Sequence, residues 1–292
     1  MYRNCLKMAK NDILAPYHAI TTLGAILVII ISNKKTNLMK YALVNNQRVE
    51  AQKGMKGLCP VCKQPVLAKC GQYKVNHWAH SKSANCDKWW EPETGWHRDW
   101  KNLFPEEWQE VIAYNEKTGE KHVADIKTHQ GFVIEFQHSH IKPEEQTSRE
   151  EFYKNMIWIV DSTRLKKDFP RFLKAYYNQD IKYVNHKKNV FTLFHPERYL
   201  PKNWLNRNVP VFFDFKGTIE LLDVGPEESE FRKELWCLFP LKMIRLNYYT
   251  DELPILIKSD KESIIQMINN YGYIHIDYQM IQNEIKQYLN IS

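Results

Sequence analysis

Apolar and polar positions alternate in the middle of the chain and predict a β-hairpin. Residues 123–127 and 132–137 are short β-prone runs, and Gly131 can supply the positive φ that a tight connection needs. In the second run, a period of two places Ile134 and Phe136 on one face of the strand. The opposite face of the hairpin is therefore left for polar side chains.

The apolar pattern on both sides of this hairpin predicts a mixed α/β sheet. Residues 91–104 follow a helical period, and residues 110–115 predict a strand. Residues 143–154 begin with a proline suited to the first turn of a helix, and residues 156–160 are a fully apolar, β-rich run. The order is helix, three antiparallel strands, crossover helix and strand. The last strand returns parallel to its neighbour because a helical crossover restores the strand direction.

The pattern in the rest of the chain predicts further elements but no chemistry. Residues 209–215 predict a strand, and residues 262–270 and 278–289 predict helices. Residues 163–178 interleave basic and aromatic side chains. Such a run is more often an amphipathic helix with a solvated basic face than a DNA contact. No catalytic pattern occurs in residues 180–292, so the sequence assigns this region no role.

The first 38 residues differ in composition from the rest of the chain. Residues 19–32 are mostly apolar with basic residues on both sides, but the run is short for a transmembrane helix and no clear cleavage site follows it. We expect residues 1–38 to be an upstream extension that the fold does not need, since Met39 resembles a natural start. Membrane association through residues 13–32 is the less favoured alternative.

Composition is that of a globular protein. With 292 residues the chain can bury a sizeable core and is long enough for about two domains. Its 43% hydrophobic and 26% charged residues exclude a disordered chain. The net charge of +7 attracts polyanions only modestly. Four of the six cysteines lie within residues 59–86, which favours a metal site in a reducing compartment and hence a cytoplasmic protein.

Paired cysteines and histidines predict a structural zinc site. Cys59 and Cys62 enclose a Cys-Pro-x-Cys turn whose backbone amides can face the sulfurs. After fourteen intervening residues come His77 and His80, and two thiolates with two imidazoles can close a tetrahedral zinc site. Cys86 is an alternative ligand that can replace one histidine. Because no ligand is missing, the predicted role of the zinc is structural.

Acidic residues on the hairpin predict a second metal site. Asp125 lies on the first strand, and Glu135 and Gln137 share the polar face of the second. One carboxylate from each of two paired strands can hold a hard divalent cation against a phosphate. On the preceding helix, Glu93 and His97 recur at a spacing of four and can point towards these acids. Taken alone, the pattern is more typical of solvated acids on an exposed sheet face.

The hairpin resembles the core of the PD-(D/E)xK nucleases, with Ala124 where those enzymes often have proline and Gln137 where most have lysine. Over about residues 40–165 the chain resembles the competence protein CoiA-like family, which already has glutamine at the position of Gln137. His122 stands where that family more often has arginine. The residues that carry the resemblance, in order and at compatible spacing, are Cys59, Cys62, His77, His80, Glu93, His97, Lys101, Asp125, Glu135, Gln137, Ser139, Arg149, Tyr153 and Trp158.

The resemblance implies a metal-dependent DNA endonuclease, a phosphodiesterase linked to DNA uptake, transformation or recombination. In this interpretation Asp125 and Glu135 hold one Mg²⁺ or Mn²⁺, helped by the carbonyl of Phe136. The ion polarises the scissile phosphate and lowers the pKa of an attacking water.

A neutral side chain at the lysine position leaves the source of positive charge open. Gln137 can only orient water through hydrogen bonds. The charge then comes from the metal, from a second metal, or from a neighbour such as His97 or Lys101. Glu93 can bind a metal directly or through water. The candidate DNA contacts are Lys101, Ser139 and Arg149.

The predicted partners are DNA, with single strands favoured, and a recombinase or other competence proteins, without a small-molecule cofactor. One alternative is a non-catalytic DNA-binding or recombination accessory protein that uses the nuclease fold as a scaffold. A membrane-tethered nuclease is another. The predicted domains are an extension at residues 1–38, a zinc-finger-like module at 39–90, a nuclease-like core at 91–178 and a C-terminal region at 179–292.

Overall fold

The structure is a computed structural model that describes residues 38–81, 86–87, 89, 93–215, 234–240 and 254–290. Within it, Lys35–Ser292 forms one compact unit. The alternative membrane segment at residues 13–32 lies outside the described residues. Among the residues that are described, no helix is long and apolar enough to cross a membrane.

Six short strands form an antiparallel sheet in the zinc module (residues 39–90, together with the preceding Leu38), in the order β1-β6-β5-β4-β2-β3. The predicted first hairpin is confirmed, because Asn45 and Asn46 take positive φ angles of 51° and 64° in the turn between β2 and β3. Met39 and Trp78 lie in the core of this sheet. The strands are β1 (Leu38–Met39), β2 (Tyr41–Val44), β3 (Gln47–Glu50), β4 (Lys56–Leu58), β5 (Pro65–Lys69) and β6 (His77–His80).

Nine strands form the second sheet, in the order β11-β12-β15-β14-β13-β10-β9-β8-β7. The pairs β7–β8 and β8–β9 are antiparallel and β9–β10 is parallel, so the predicted order and crossover are confirmed. Strands β11 to β15 extend the same sheet beyond the predicted core. The strands are β7 (Gln109–Tyr114), β8 (Lys121–Lys127), β9 (Val133–Gln137), β10 (Met156–Asp161), β11 (Ile181–Asn185), β12 (Val190–Leu193), β13 (Val211–Asp214), β14 (Glu234–Phe239) and β15 (Ile255–Asp260).

Helices cover the nine-stranded sheet. Helix α1 is shorter than predicted because Thr94 caps it, with its side chain accepting a hydrogen bond from the His97 amide. Helix α2 starts at the predicted proline, Pro143. In the described part of the chain, single 3₁₀ turns cover Glu106–Trp108, His186–Lys188 and Lys202–Trp204. The helices are α1 (Gly95–Lys101), α2 (Pro143–Tyr153), α3 (Asp168–Tyr177), α4 (Pro196–Tyr199), α5 (Lys261–Tyr271) and α6 (Tyr278–Tyr288).

Strand β10 is buried on both faces, which explains its continuous apolar run. Trp158 packs into a core that includes Phe172 of α3, whereas Ile157 and Ile159 pack into the core that includes Trp100 of α1. A parallel central strand between two helical layers needs no polar face. The fold is the predicted mixed α/β class. The basic and aromatic run includes α3, which is amphipathic, and Phe172 on its apolar face packs into the core.

Candidate active site

The hairpin of β8 and β9 brings two carboxylates together. Its register pairs Ile126 with Ile134, and continuing it places Asp125 opposite Glu135. The Phe136 amide donates to Asp125 Oδ2 at 3.0 Å, and the Asp125 amide donates to Glu135 Oε1 at 3.4 Å. Side-chain oxygens therefore bond to main-chain amides where the two strands separate, and the two acids lie side by side.

Glu135 is buried and Asp125 is half-buried, unlike solvated acids on an exposed sheet face. Glu135 is 2% exposed, and its Oε2 lies 2.6 Å from Arg149 Nη1. Burial raises the pKa of Glu135 to about 8, and the charge of Arg149 offsets this effect only in part. Burial also raises the pKa of Asp125, against the attraction of Lys101. In the metal-free protein this pair therefore retains a proton at neutral pH, which a bound cation would replace.

These acids line an open cavity. Carboxylates outnumber permanent cations among its described lining residues, which gives it the negative charge that attracts a divalent cation. The charged lining residues and the one histidine are Asp87, Glu93, His97, Lys101, Glu110, Asp125, Glu135 and Arg149.

Glu93, just before the cap of α1, and His97 on the helix both line this cavity, but Glu93 is paired with cations. Its carboxylate pairs with Arg98, and Glu93 Oε1 lies 2.6 Å from Lys101 Nζ. Burial alone would raise the pKa of Glu93, but Lys101 and Arg98 hold it at about 2. His97 Nε2 donates to the Phe136 carbonyl at 2.9 Å, and its Nδ1 lies 3.0 Å from Thr94 Oγ1. Glu93 thus holds Lys101, and His97 touches the carbonyl proposed as a metal ligand.

Gln137 is absent from the described cavity lining, and the three candidate DNA contacts differ in their exposure to solvent. Gln137 Nε2 donates to the Ser139 carbonyl at 3.1 Å, and Gln137 is not among the described residues that line the cavity. Ser139 is exposed. Lys101 and Arg149 are 3% and 5% exposed and bind carboxylates, so they are not surface contacts for nucleic acid. A sequence pattern cannot distinguish a solvated cation from a buried ion pair.

Glu110 reaches the cavity although sequence reasoning gave it no role. The register pairs Gln109 with Ile126 and Val111 with Ala124, which places Glu110 opposite Asp125. Its backbone has a φ of 46°, an unusual value for a strand residue that is not glycine. Lys101 Nζ donates to Glu110 Oε1 at 2.9 Å, a contact that no local pattern predicts.

Asp87 and Trp89 form a second wall that sequence reasoning missed. Asp87 Oδ2 accepts from the Val123 amide at 2.8 Å, and Asp87 Oδ1 lies 2.9 Å from His122 Nδ1. The His122 ring stacks on Trp89 with centroids 3.3 Å apart. The Trp89 carbonyl accepts from Arg149. His122, which stands where the family more often has arginine, therefore supports this wall of the cavity.

Four side chains of the zinc module converge on one point. Ligand atoms of Cys59, Cys62, His80 and Cys86 all lie within 4.8 Å of one another. Cys59 and Cys86 Sγ atoms are 3.6 Å apart, and Cys62 Sγ is 3.2 Å from His80 Nε2. Tetrahedral zinc with bonds of about 2.3 Å needs sulfur atoms about 3.8 Å apart. Three thiols and one imidazole at this spacing fit zinc.

The ligand set corrects the predicted role of His77. Along β6 successive side chains alternate between faces, so residues three apart point in opposite directions. His77 Nδ1 donates to the Val75 carbonyl at 2.8 Å, while His80 faces the thiols. The alternative with Cys86 in place of one histidine is the arrangement that the structure shows.

Cys86 and, to a smaller extent, the turn at the first cysteine pair favour a thiolate at Cys59. The Cys86 thiol and the backbone amides of Cys62 and Val61 lower the pKa of Cys59 to about 5, against the effect of burial. Cys70 lies apart, with its Sγ 3.6 Å from the Ala51 carbonyl oxygen. Deprotonated sulfur is the form that binds zinc, so the turn prepares the first ligand.

Comparisons with known proteins address both modules. The model of the competence protein CoiA N-terminal domain matches residues 42–88, which include all four candidate zinc ligands. The model of the CoiA nuclease-like domain matches residues 120–206, which include Asp125 and Glu135 and agree with a PD-(D/E)xK-like core. No curated protein and no solved structure matches the chain. Residues 42–88 and 120–206 therefore match, in order, the two domains of the competence protein CoiA family.

Proposed function

We propose that this protein is a metal-dependent DNA endonuclease. One observation supports the proposal: Asp125 and Glu135, both in the nuclease-like domain, lie side by side in the lining of one cavity. Glu135 is buried and Asp125 is half-buried, and placing two neighbouring acids there is costly unless a cation or proton compensates them. A divalent cation that holds a phosphate would supply this compensation.

The residues present suit Mg²⁺ or Mn²⁺. Hard cations prefer oxygen ligands, and both acids offer carboxylate oxygens next to the Phe136 carbonyl. When bound, the cation supplies Lewis-acid chemistry that polarises the phosphate and makes water a better nucleophile. Arg149 fixes the orientation of Glu135, and the Phe136 amide fixes that of Asp125. The ligands are therefore positioned before any cation binds.

Water then hydrolyses a phosphodiester bond of the DNA backbone. The oxygen of water bonds to phosphorus while the bond from phosphorus to the leaving sugar oxygen breaks. The water loses a proton to solvent, and the leaving oxygen takes one up.

In the zinc module, three cysteines and one histidine fill the four positions of a tetrahedral ion, so this zinc is structural.

A cleavage assay tests the proposal. We expect zinc-loaded protein to cut DNA only with added Mg²⁺ or Mn²⁺, and Asp125→Asn to slow the cut by about 100-fold or more. The matched control is Asp99→Asn, which removes an exposed carboxylate from α1. Single- and double-stranded substrates run in parallel test the expected preference for single strands. Unchanged cleavage by Asp125→Asn would refute the assignment.

The orientation of Gln137 favours one alternative function. Its amide donates to the Ser139 carbonyl, so the position that usually carries the nuclease lysine supplies no charge to the cavity. In that alternative the protein binds DNA, or a recombinase acting on it, and the nuclease fold is a scaffold. DNA retained in a binding assay without cleavage under any metal would support this accessory function.

A further inference from the structure

A buried ammonium group lies in the cavity although the nuclease motif does not supply one. Lys101 is 3% exposed, and its Nζ lies 3.9 Å from Asp125 Oδ1. It also lies 2.6 Å from Glu93 Oε1 and 2.9 Å from Glu110 Oε1. The group is therefore a fixed positive charge next to a proposed metal ligand.

The helix that carries Lys101 is anchored firmly. Indole nitrogens of Trp96 and Trp100 donate to the same carboxylate oxygen, Asp214 Oδ2, at 3.0 and 2.8 Å. The Trp100 ring stacks on Phe136 with centroids 5.5 Å apart. Because both indoles fix α1 against the sheet, Lys101 at its last turn is directed to one place.

Glu110 receives support from the zinc module. Its carboxylate accepts from the Lys40 amide at 2.9 and 3.1 Å and from the Tyr41 amide at 3.2 Å. Its left-handed φ of 46° is strained for a residue with a side chain, and such strain persists where the surroundings require it. The first strands of the zinc module thus hold Glu110, and Glu110 holds Lys101.

We propose that Lys101 is the catalytic cation of this site and that Glu110 is its positioning residue. The proposal rests on the nuclease function above and deepens it. A lysine in the usual motif places a positive charge next to the metal and the attacking water, whereas Gln137 here donates to a main-chain carbonyl. Lys101 lines the cavity and approaches Asp125, one acid of the pair, from the helix instead of from the strand.

The expected loss follows from the role of the charge. Negative charge grows on the phosphate oxygens in the transition state, and removing one fixed group that stabilises such charge costs about 100- to 1000-fold in rate. Removal of Lys101 should not weaken metal binding, in contrast to its effect on the rate. Removing a cation next to Asp125 takes away repulsion, so Mn²⁺ should bind as tightly as before or more tightly.

Three variants test the two roles: Lys101→Met, Glu110→Gln and the double variant. Single-turnover cleavage at saturating DNA should fall about 100-fold or more in Lys101→Met, with Mn²⁺ affinity retained. Glu110→Gln should lower the rate about tenfold without changing the DNA concentration needed for half-maximal rate. The double variant, which removes one charge of each sign and so preserves the balance of the buried cluster, should be no slower than Lys101→Met. Lys117→Met is the matched control for loss of an exposed lysine.

Non-additivity is the readout that a merely structural Glu110 would not give. If Glu110 acts through Lys101, its removal has no further effect once Lys101 is gone. Additive losses would overturn the positioning role. Cleavage by Lys101→Met within about threefold of the native rate would overturn the catalytic role of Lys101. The nuclease function would still stand in that case if the native protein cleaves DNA and Asp125→Asn does not. Absence of cleavage by the native protein would overturn both proposals.

Discussion

Two buried glutamates of the same cavity are held in opposite protonation states. Two cations next to Glu93 hold its pKa at about 2, whereas the burial of Glu135 raises its pKa to about 8. Environment therefore divides their roles: Glu93 is a counter-ion of Lys101, and Glu135 is the proposed metal ligand. Sequence spacing placed both residues near the site but could not separate the roles, because partner charges from other elements decide them.

The raised pKa of Glu135 predicts a pH dependence of stability. The unfolded carboxyl loses its proton near its ordinary pKa of 4.5, whereas the folded one keeps it until about pH 8. The stabilisation is thus full below the unfolded pKa and is lost as the pH rises through about 8. Without added divalent cation, the Tm of the zinc-loaded protein should fall over this range more than that of Glu135→Gln. Parallel curves for the two proteins would contradict the shift.

At the scale of elements, the alternation of side chains along a strand explains both a success and an error. Period two on β9 correctly paired Ile134 with Phe136 in the core and left Glu135 for the polar face. The same rule on β6 places His77 and His80 on opposite faces, although their spacing in the sequence predicts two zinc ligands. A His-x-x-His spacing suits one face of a helix, so the ligand set depends on the element that carries it.

This rule predicts different effects for the two histidines. His80→Gln should lose bound zinc, since it removes one of four converging ligands. His77→Gln should keep about one zinc per chain because this residue only bonds the Val75 carbonyl. Metal analysis of both purified variants after dialysis measures the difference. Zinc lost from His77→Gln and kept by His80→Gln would mean that the ligand assignment is wrong.

At the scale of the whole molecule, the proposed nuclease site lies where the zinc module meets the nine-stranded sheet. Amides of Lys40 and Tyr41 bind Glu110, and Asp87, next to the ligand Cys86, binds the Val123 amide. Local periodicity predicted the order of the core elements, because each signal lies within a few residues. It could not predict these contacts, which join residues about 35 to 70 positions apart.

The central claim is that Asp125 and Glu135 bind a divalent cation that the protein needs to cleave DNA. One comparison tests this claim most directly. Zinc-loaded protein and its Glu135→Ala variant are incubated with labelled DNA in Mn²⁺, in Mg²⁺ and without added divalent cation. We predict cleavage by the native protein only with metal and none by the variant, at equal zinc content. Equal cleavage by both proteins, or none by the native protein in either metal, would contradict the account.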